Sequence, residues 1–217
     1  MNPSNIARVA GLLAPLAAAA VAAADIRITE VAPWSSGNSA VAADWFELTN
    51  TGNAAVDITG WRFDDDSNTF ASSVLLTGIT SIAPGESVIF LETTTLAARA
   101  QIFRDIWFGA NAPAGLRFGS YSGAGTGLST GGDQVNIFDA AGVSQARILF
   151  GTSTAFRTFD NAQGLNGQAV TLLSSLNVNS AFTSANGLET GSPGVIPSPA
   201  AAALLGLGAL AAGRRRR

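Results

Sequence analysis

The 217-residue chain contains no cysteine, no histidine and no lysine, so all 12 of its basic residues are arginines. Without cysteine it cannot form disulfides, thiolate zinc sites or cysteine nucleophiles. Without histidine it lacks the most common general base and transition-metal ligand, and a Ser-His-Asp triad cannot be built. The absence of lysine excludes Schiff-base and Ser-Lys sites. Carboxylates, hydroxyls, amides and arginines are the groups left for chemistry or binding.

Charge is also scarce, at 12% of residues against about 25% in an average globular domain. Hydrophobic residues make up 47% of the chain, which is too apolar for a disordered protein. The 15 acids all lie between Asp25 and Glu189, whereas 5 of the 12 arginines lie outside that range. The middle of the chain therefore carries 15 acids against 7 arginines, a net charge of −8.

The first 24 residues are typical of a secretory signal peptide. Arg8 precedes an apolar run from Val9 to Ala20, and Ala22 and Ala24 fit the small-x-small rule for cleavage before Asp25. The alternative is an N-terminal membrane anchor, but a bilayer span needs about 20 apolar residues. The shorter run favours residues 1–24 as a signal that is cleaved after Ala24.

A second targeting pattern occupies residues 186–217. Glycines and prolines over 186–199 predict a linker, which includes Pro197, Ser198 and Pro199. An apolar stretch over 200–213 and four arginines follow, and together they predict a membrane-anchor helix with a cytoplasmic basic end. The arginines are Arg214, Arg215, Arg216 and Arg217. A nucleic-acid-binding tail is the alternative, but an apolar run beside the charges argues against it.

The 197–217 pattern resembles the PEP-CTERM sorting signal of Gram-negative bacteria, which has a Pro-Glu-Pro-like motif, a short apolar helix and an arginine cluster. Ser198 stands here where that family usually has glutamate. The resemblance implies a transient anchor in the inner membrane. It also implies cleavage near the motif by an exosortase and delivery to the cell surface or extracellular matrix.

Residues 25–185 show short period-2 segments separated by turn signals. The segments are 26–30, 45–48, 56–63, 87–91, 135–138 and 143–150. Asp139-Ala140-Ala141-Gly142 predicts a hairpin with its glycine in a left-handed conformation. Short strands at such spacings predict an antiparallel sandwich or barrel.

One segment has helical rather than strand periodicity. Leu96, Ala100, Phe103 and Trp107 recur at helical spacing and predict one short helix, capped by a threonine, whose apolar stripe faces the core. Residues 119–132 are rich in Gly, Ser and Thr and predict a mobile loop.

Four strand motifs resemble the lamin tail domain in order and spacing. They are Ile26-x-Ile28-x-Glu30-Val31, Asp44-Trp45-Phe46-Glu47-Leu48-x-Asn50, Val56-Asp57-Ile58-x-Gly60-Trp61 and Pro84-Gly85-Glu86-x-Val88-Ile89-Phe90. The resemblance covers roughly residues 25–195 and implies an immunoglobulin-like β-sandwich with the helix as an insertion. It implies little about activity. The predicted fold is therefore all-β, with signal and anchor helices outside the domain.

An acidic run supplies a candidate calcium site. Asp64, Asp66 and Asn68 match the first half of an EF-hand loop, in which oxygen ligands at alternate positions converge on one cation. The second half fails, because Thr69 stands where glycine is needed and Leu75 where glutamate belongs. Side chains that only hold turns through their own hydrogen bonds are the alternative.

Two strand carboxylates, Glu30 and Glu47, are candidates for general acid/base chemistry. A structural role, with bonds to backbone groups or to an arginine such as Arg62, is favoured over it. The loop 123–127 resembles a phosphate-binding loop only in composition, since it lacks the lysine and the βαβ unit.

Four tryptophans offer a possible sugar platform, although strand aromatics more often belong to the core. Trp45 and Trp61 are predicted to be buried, and Trp34, before a Ser-Ser-Gly run, is the best candidate for exposure.

The sequence as a whole predicts an exported binding or structural module rather than an enzyme, with no required cofactor other than the candidate calcium. It would adhere to extracellular polysaccharide or other surface proteins through loops at one end of the sandwich. A hydrolase that uses carboxylates and a metal is one alternative. A nucleic-acid-binding module is another, but the net charge of −8 opposes it.

Overall fold

The computed structural model describes residues 25–195. The predicted signal peptide with its cleavage residues Ala22 and Ala24, and the sorting motif with its anchor and arginine cluster, lie outside the described residues. Within the described range, no helix has both the length and the apolar character required to span a bilayer.

Short strands dominate this range. They are β1 Ile26–Ala32, β2 Trp45–Asn50, β3 Val56–Asp57, β4 Arg62–Asp64, β5 Val74–Leu75, β6 Ser81–Ile82, β7 Ser87–Glu92, β8 Arg117–Tyr121, β9 Asp133–Phe138, β10 Ser144–Phe150, β11 Phe159–Asp160, β12 Gln168–Val170, β13 Phe182–Thr183 and β14 Thr190–Gly191. The helices are α1 Ser35–Asn38, α2 Leu96–Trp107 and a 3-10 turn, Gly109–Asn111.

Ten of these strands form two five-stranded sheets that share one core. The first sheet has the order β11-β1-β2-β7-β8 and the second the order β12-β10-β9-β4-β5. This confirms the predicted all-β sandwich. The prediction of a purely antiparallel arrangement was wrong, because β8 runs parallel to β7 and β12 runs parallel to β10. In the first case the connection contains α2, and a helical crossover returns the chain in the same direction.

Alternation along the strands divides the apolar residues between two clusters. Phe46, Phe63, Phe90 and Tyr121 pack between the sheets, with Phe63 and Tyr121 ring centroids 4.5 Å apart. On the outer face of the first sheet, Trp45 and its neighbours pack against α2. The predicted stripe of α2 is confirmed as core, because Ala100, Phe103 and Trp107 are buried. The predicted cap is not formed, since the N-cap residue Thr95 makes no side-chain capping bond.

Both edges of the sandwich are joined by segments that pass from one sheet to the other. Beyond β5, Thr77 and Ser120 exchange two backbone hydrogen bonds of 2.9 Å, which links the second sheet to β8. Beyond β12, the Asp160 backbone N–H donates to the Leu172 carbonyl at 2.8 Å, and this bond links the second sheet to β11. Edge strands with unpaired backbone groups invite pairing with other chains. These bonds occupy backbone groups of Ser120 on the edge strand β8 and of Asp160 on the edge strand β11.

The turns follow the sequence in most places. Gly142 has φ +84° and donates its backbone N–H to the Asp139 carbonyl at 3.0 Å, as predicted for the β9–β10 hairpin. The loop predicted over 119–132 is shorter in the structure, because residues 119–121 belong to β8. Helix α1 was not predicted.

The predicted domain boundary at residue 185 lies too early. Residues 186–195 are part of the fold and include β14, which pairs with β13. Their glycines resemble a linker in composition, but Gly191 is required for close packing. A Cβ on Gly191 would lie 2.9 Å from the Trp107 ring and 3.0 Å from the Thr158 hydroxyl. We call residues 186–195 the closing segment.

Residues after 152 are expected to be required for folding. A chain that ends at residue 152 loses β11, β12 and the core side chains Phe159 and Val170. Burying each of these contributes about 1.5–3 kcal/mol, a large part of a total stability of about 5–15 kcal/mol. We expect such a chain to show no cooperative thermal transition by circular dichroism, whereas one ending at residue 195 retains it. Equal transitions in both would contradict this assignment.

Candidate functional site

The two candidate carboxylates lie side by side on the outer face of the first sheet. Glu30 on β1 and Glu47 on β2 are partners in register, and each is only 1% exposed. Their neighbours Val31 and Phe46 point into the core on the opposite face, so alternation fixes both glutamates on the outer side. Neither reaches Arg62, the predicted partner, whose guanidinium instead donates to the Ser73 hydroxyl at 2.8 Å.

The closing segment covers this pair and is bound by it. The Ser192 backbone N–H donates to Glu30 at 2.8 Å, and the Gly194 backbone N–H donates to Glu47 at 2.5 Å. The Thr158 hydroxyl also donates to Glu30, at 2.5 Å. Carboxylates that accept backbone N–H bonds act as fixed anchors. Glu30 and Glu47 therefore fasten a part of the chain that lies more than a hundred residues away.

A chain of hydroxyl groups continues from the pair across the sheet. The Thr29 hydroxyl donates to Glu47 at 2.6 Å and contacts the Thr49 hydroxyl at 2.9 Å, and Thr49 in turn contacts the Ser87 hydroxyl at 2.6 Å. These groups are buried, and burial without partners would be costly. The network satisfies them and stiffens the outer face around the glutamates.

A third buried carboxylate fastens the start of the closing segment. Glu189 has no exposed surface, and its carboxylate accepts the Ser39 hydroxyl at 2.7 Å and the Ser184 hydroxyl at 2.6 Å. Ser39 follows α1, so this contact ties the closing segment to the loop between β1 and β2. Sequence reasoning missed Glu189, Thr158 and Ser192, because their partners are far away in the chain and nothing in their spacing indicates the contact.

Burial dominates the electrostatics of the pair. Loss of hydration raises the pKa of Glu47 to about 7. The pKa of Glu30 is raised well above its usual value, first by burial, then by repulsion from Glu47 and to a smaller extent from Asp160. A protonated carboxyl still accepts a backbone N–H through one oxygen, so the anchors persist when the pair carries less charge. A substrate cannot reach carboxylates sealed beneath backbone, which favours the structural interpretation over general acid/base chemistry.

The acidic run after β4 folds as a turn around Asp64. Asp64 is fully buried, and its carboxylate accepts the Ser67 hydroxyl at 2.7 Å, the Thr69 backbone N–H at 2.8 Å and the Ser72 hydroxyl at 2.9 Å. Asp66 and Asn68 are exposed, and Asn68 has φ +47°. Both Asp64 oxygens thus hold the loop. A calcium ion at Asp64, Asp66 and Asn68 stays a prediction.

The tryptophans belong to the packed interior. Trp45 and Trp61 are buried, as predicted. The prediction that Trp34 is exposed was wrong: it is 1% exposed, and its indole N–H donates to the Arg157 carbonyl at 2.7 Å. The Ser-Ser-Gly run after it forms α1 and does not leave the ring in solvent.

The depressions of the described surface include two shallow ones. One, of about 290 Å³, lies at the β11–β12 edge, and its lining includes Asp160, Asn161, Gln163, Leu165 and Leu172. The other, of about 370 Å³, is lined by Asp25, Thr51, Gly52 and Asn53. Neither is lined by the candidate residues Glu30, Glu47 or Asp64.

Stability is expected to fall as the pH rises from 4.5, the ordinary pKa of a glutamate, to about 7, the raised pKa of Glu47. A carboxyl whose pKa is raised in the folded state stabilises the fold below its unfolded pKa of about 4.5, and this contribution is lost as the pH passes about 7. The free energy of unfolding should decrease between pH 5 and pH 9, with Glu47 contributing on the order of 3 kcal/mol. Urea titrations across that range measure it.

Glu47→Gln should flatten this pH dependence, because the amide stays neutral and can still accept the Gly194 N–H. Glu86→Gln is the matched control, since Glu86 pairs with Arg117 near the surface. The assignment fails if Glu47→Gln keeps the full pH dependence, or if Glu86→Gln removes it equally.

Comparison with known proteins supports the resemblance seen in the strand motifs. The family model for the Lamin Tail Domain matches residues 19–152. No curated protein matches the chain. Since the family match covers more than half of the 217 residues, the chain belongs to the Lamin Tail Domain family, whose fold is immunoglobulin-like.

Proposed function

We propose that the chain is an exported, surface-sorted module of the cell envelope or biofilm matrix that binds or supports other components and catalyses no reaction. The observation that carries the non-catalytic part is the use of Glu30 and Glu47. These buried strand carboxylates fasten the backbone of Ser192 and Gly194. Their location under the closing segment favours a scaffold over a catalytic cleft.

Export rests on the two ends of the sequence. The apolar run with Ala22 and Ala24 before Asp25 is typical of a cleaved signal. Pro197-Ser198-Pro199, the apolar stretch and the arginine cluster resemble a sorting signal that a membrane exosortase processes. The motif begins three residues after Gly194, so the sorting enzyme would act next to the folded domain.

Binding is proposed to use exposed side chains at the loops, with extracellular polysaccharide or another surface protein as the ligand. Exposed apolar groups cluster near the β9–β10 hairpin, where Phe70 is 37% exposed and Val143 is 57% exposed. The Phe70 ring lies 5.9 Å from that of Phe138, and a Cβ on Gly142 would lie 3.1 Å from it. An aromatic ring held at the surface suits a sugar face or an apolar partner. The net charge of −8 disfavours nucleic acid.

Mass spectrometry of the protein from a Gram-negative host that carries an exosortase tests the export proposal. We expect the extracellular form to begin at Asp25 and to lack residues 200–217. Pro197→Ala with Pro199→Ala should leave the protein in the membrane fraction, because it removes the recognition motif. Pro84→Ala, in the turn before β7, is the matched control and should be exported normally.

Extracellular protein that still carries Arg214–Arg217 would overturn the sorting proposal. Equal export of the motif variant, or equal processing in a host without an exosortase, would do the same.

A further inference from the structure

Three carboxylates lie at one end of the sandwich, each two residues from a residue of the core between the sheets. Glu92 is the last residue of β7 and lies two residues after the core residue Phe90. Asp65 lies two residues after the core residue Phe63. Since alternate strand residues share a face, Glu92 points towards the space between the sheets, and Asp65 is the first residue after β4 of the second sheet.

Asp133 completes the set from the second sheet. It is the first residue of β9 and precedes the core residue Val135 by two positions. The charge of Asp65 is close enough to raise the pKa of Asp133, in addition to the effect of burial. Asp44, just before β2, likewise raises the pKa of Glu92. We call Asp44, Asp65, Glu92 and Asp133 the acidic mouth.

A buried hydroxyl lies beneath the acidic mouth. Tyr121 is 1% exposed and is the register partner of Glu92. Its ring packs against Phe46 and Phe63, and its hydroxyl has no hydrogen-bond partner. All four mouth carboxylates are near enough to raise its pKa beyond the effect of burial. A buried polar group without a partner calls for a ligand or a water, and this one lies among carboxylates.

No positive charge balances the acidic mouth within residues 25–195. The ion pairs of this range are Arg27 with Asp25 and Arg117 with Glu86. Asp44 has neutral donors, the backbone N–H and the hydroxyl of Ser36, at 2.7 and 3.0 Å. Like charges collected in partial burial repel each other, and a bound cation would relieve that repulsion.

A glycine-rich loop is hydrogen-bonded to two of the mouth carboxylates. The Gly127 backbone N–H donates to Asp65 at 3.2 Å, and the Ser129 backbone N–H donates to Asp133 at 2.7 Å. Leu128 between them is buried in the core. The loop over residues 122–132 is therefore fixed to the carboxylates of Asp65 and Asp133.

We propose that the acidic mouth binds a hydrated calcium ion. Glu92 and Asp133 act as carboxylate ligands, loop carbonyls over 122–132 add oxygens, and a metal-bound water contacts the Tyr121 hydroxyl. Calcium accepts carboxylates, carbonyls and waters together. No three acidic side chains of the described range converge closely enough to chelate a metal by themselves, so waters and carbonyls complete the shell. Sites of this kind have dissociation constants on the order of 10⁻⁴–10⁻³ M.

This site is distinct from the one that the sequence pattern indicated. Asp64 lies on the outer face of the second sheet, where Ser67 and Ser72 occupy its oxygens, while its neighbour Asp65 belongs to the mouth. The proposal also goes beyond the proposed function. It depends on the geometry of the domain alone and holds or fails whether or not the chain is exported.

Thermal unfolding of the purified full chain tests the proposal. Calcium at 10 mM should raise the melting temperature by roughly 3 to 8 °C over the chelator-treated protein. Sodium chloride at equal ionic strength should not. Glu92→Gln with Asp133→Asn should abolish the calcium shift. The control is Asp57→Asn with Asp105→Asn, which also removes two negative charges but from exposed positions. This variant should keep the calcium-dependent shift in melting temperature.

The double mouth variant is expected to fold, because it removes repulsion between partly buried carboxylates. If it does not fold, calorimetric titrations with calcium of the full chain and of its Glu92→Gln variant test the proposal instead. The expected result is one ion per chain, with affinity reduced at least fivefold in Glu92→Gln. No calcium shift, a shift that sodium chloride reproduces, or a shift that survives in the mouth variants would overturn the proposal. Loss of the shift in Asp64→Asn, with the mouth variants unaffected, would assign calcium to the outer loop instead.

Discussion

The hydrogen bonds from the closing segment to Glu30 and Glu47 are the constraint on which the rest of the domain depends. Two carboxylates side by side on neighbouring strands would repel each other and lose hydration. The backbone N–H groups of Ser192 and Gly194 and nearby hydroxyls offset part of this cost. The same contacts bring the chain back over the first sheet and fix the closing segment on its outer face.

Family membership and structure divide the chain in different ways. The Lamin Tail Domain match ends at residue 152, yet β11 and β12, which follow it, add to the first and second sheets respectively. The chain after residue 152 also supplies Thr158 and the closing segment, which bind the glutamates. Glu30 and Glu47 thus lie in the strand motifs of the family, while part of the chain outside the match donates hydrogen bonds to them.

Local sequence patterns predicted what depends on local physics. Strand alternation, the left-handed Gly142 turn and the stripe of α2 each follow from a few neighbouring residues. The remaining features depend on distant partners. Trp34 is followed by polar residues, yet it is buried because its indole N–H reaches the Arg157 carbonyl. Gly191 resembles a linker residue, yet it is a glycine because Trp107 and Thr158 leave no room for a Cβ.

The attachment of Gly194 to Glu47 determines where tension would enter the fold. A pull on the chain beyond residue 195 acts first on the N–H groups that donate to Glu30 and Glu47. These glutamates lie on β1 and β2, inside the first sheet, with β11 and β7 on either side. Load is thus delivered to interior strands, whereas a tether leaving from an edge strand would peel the sheet one hydrogen bond at a time. A domain pulled by this end would therefore oppose the force with several hydrogen-bonded strands of the first sheet, and not with one edge strand alone.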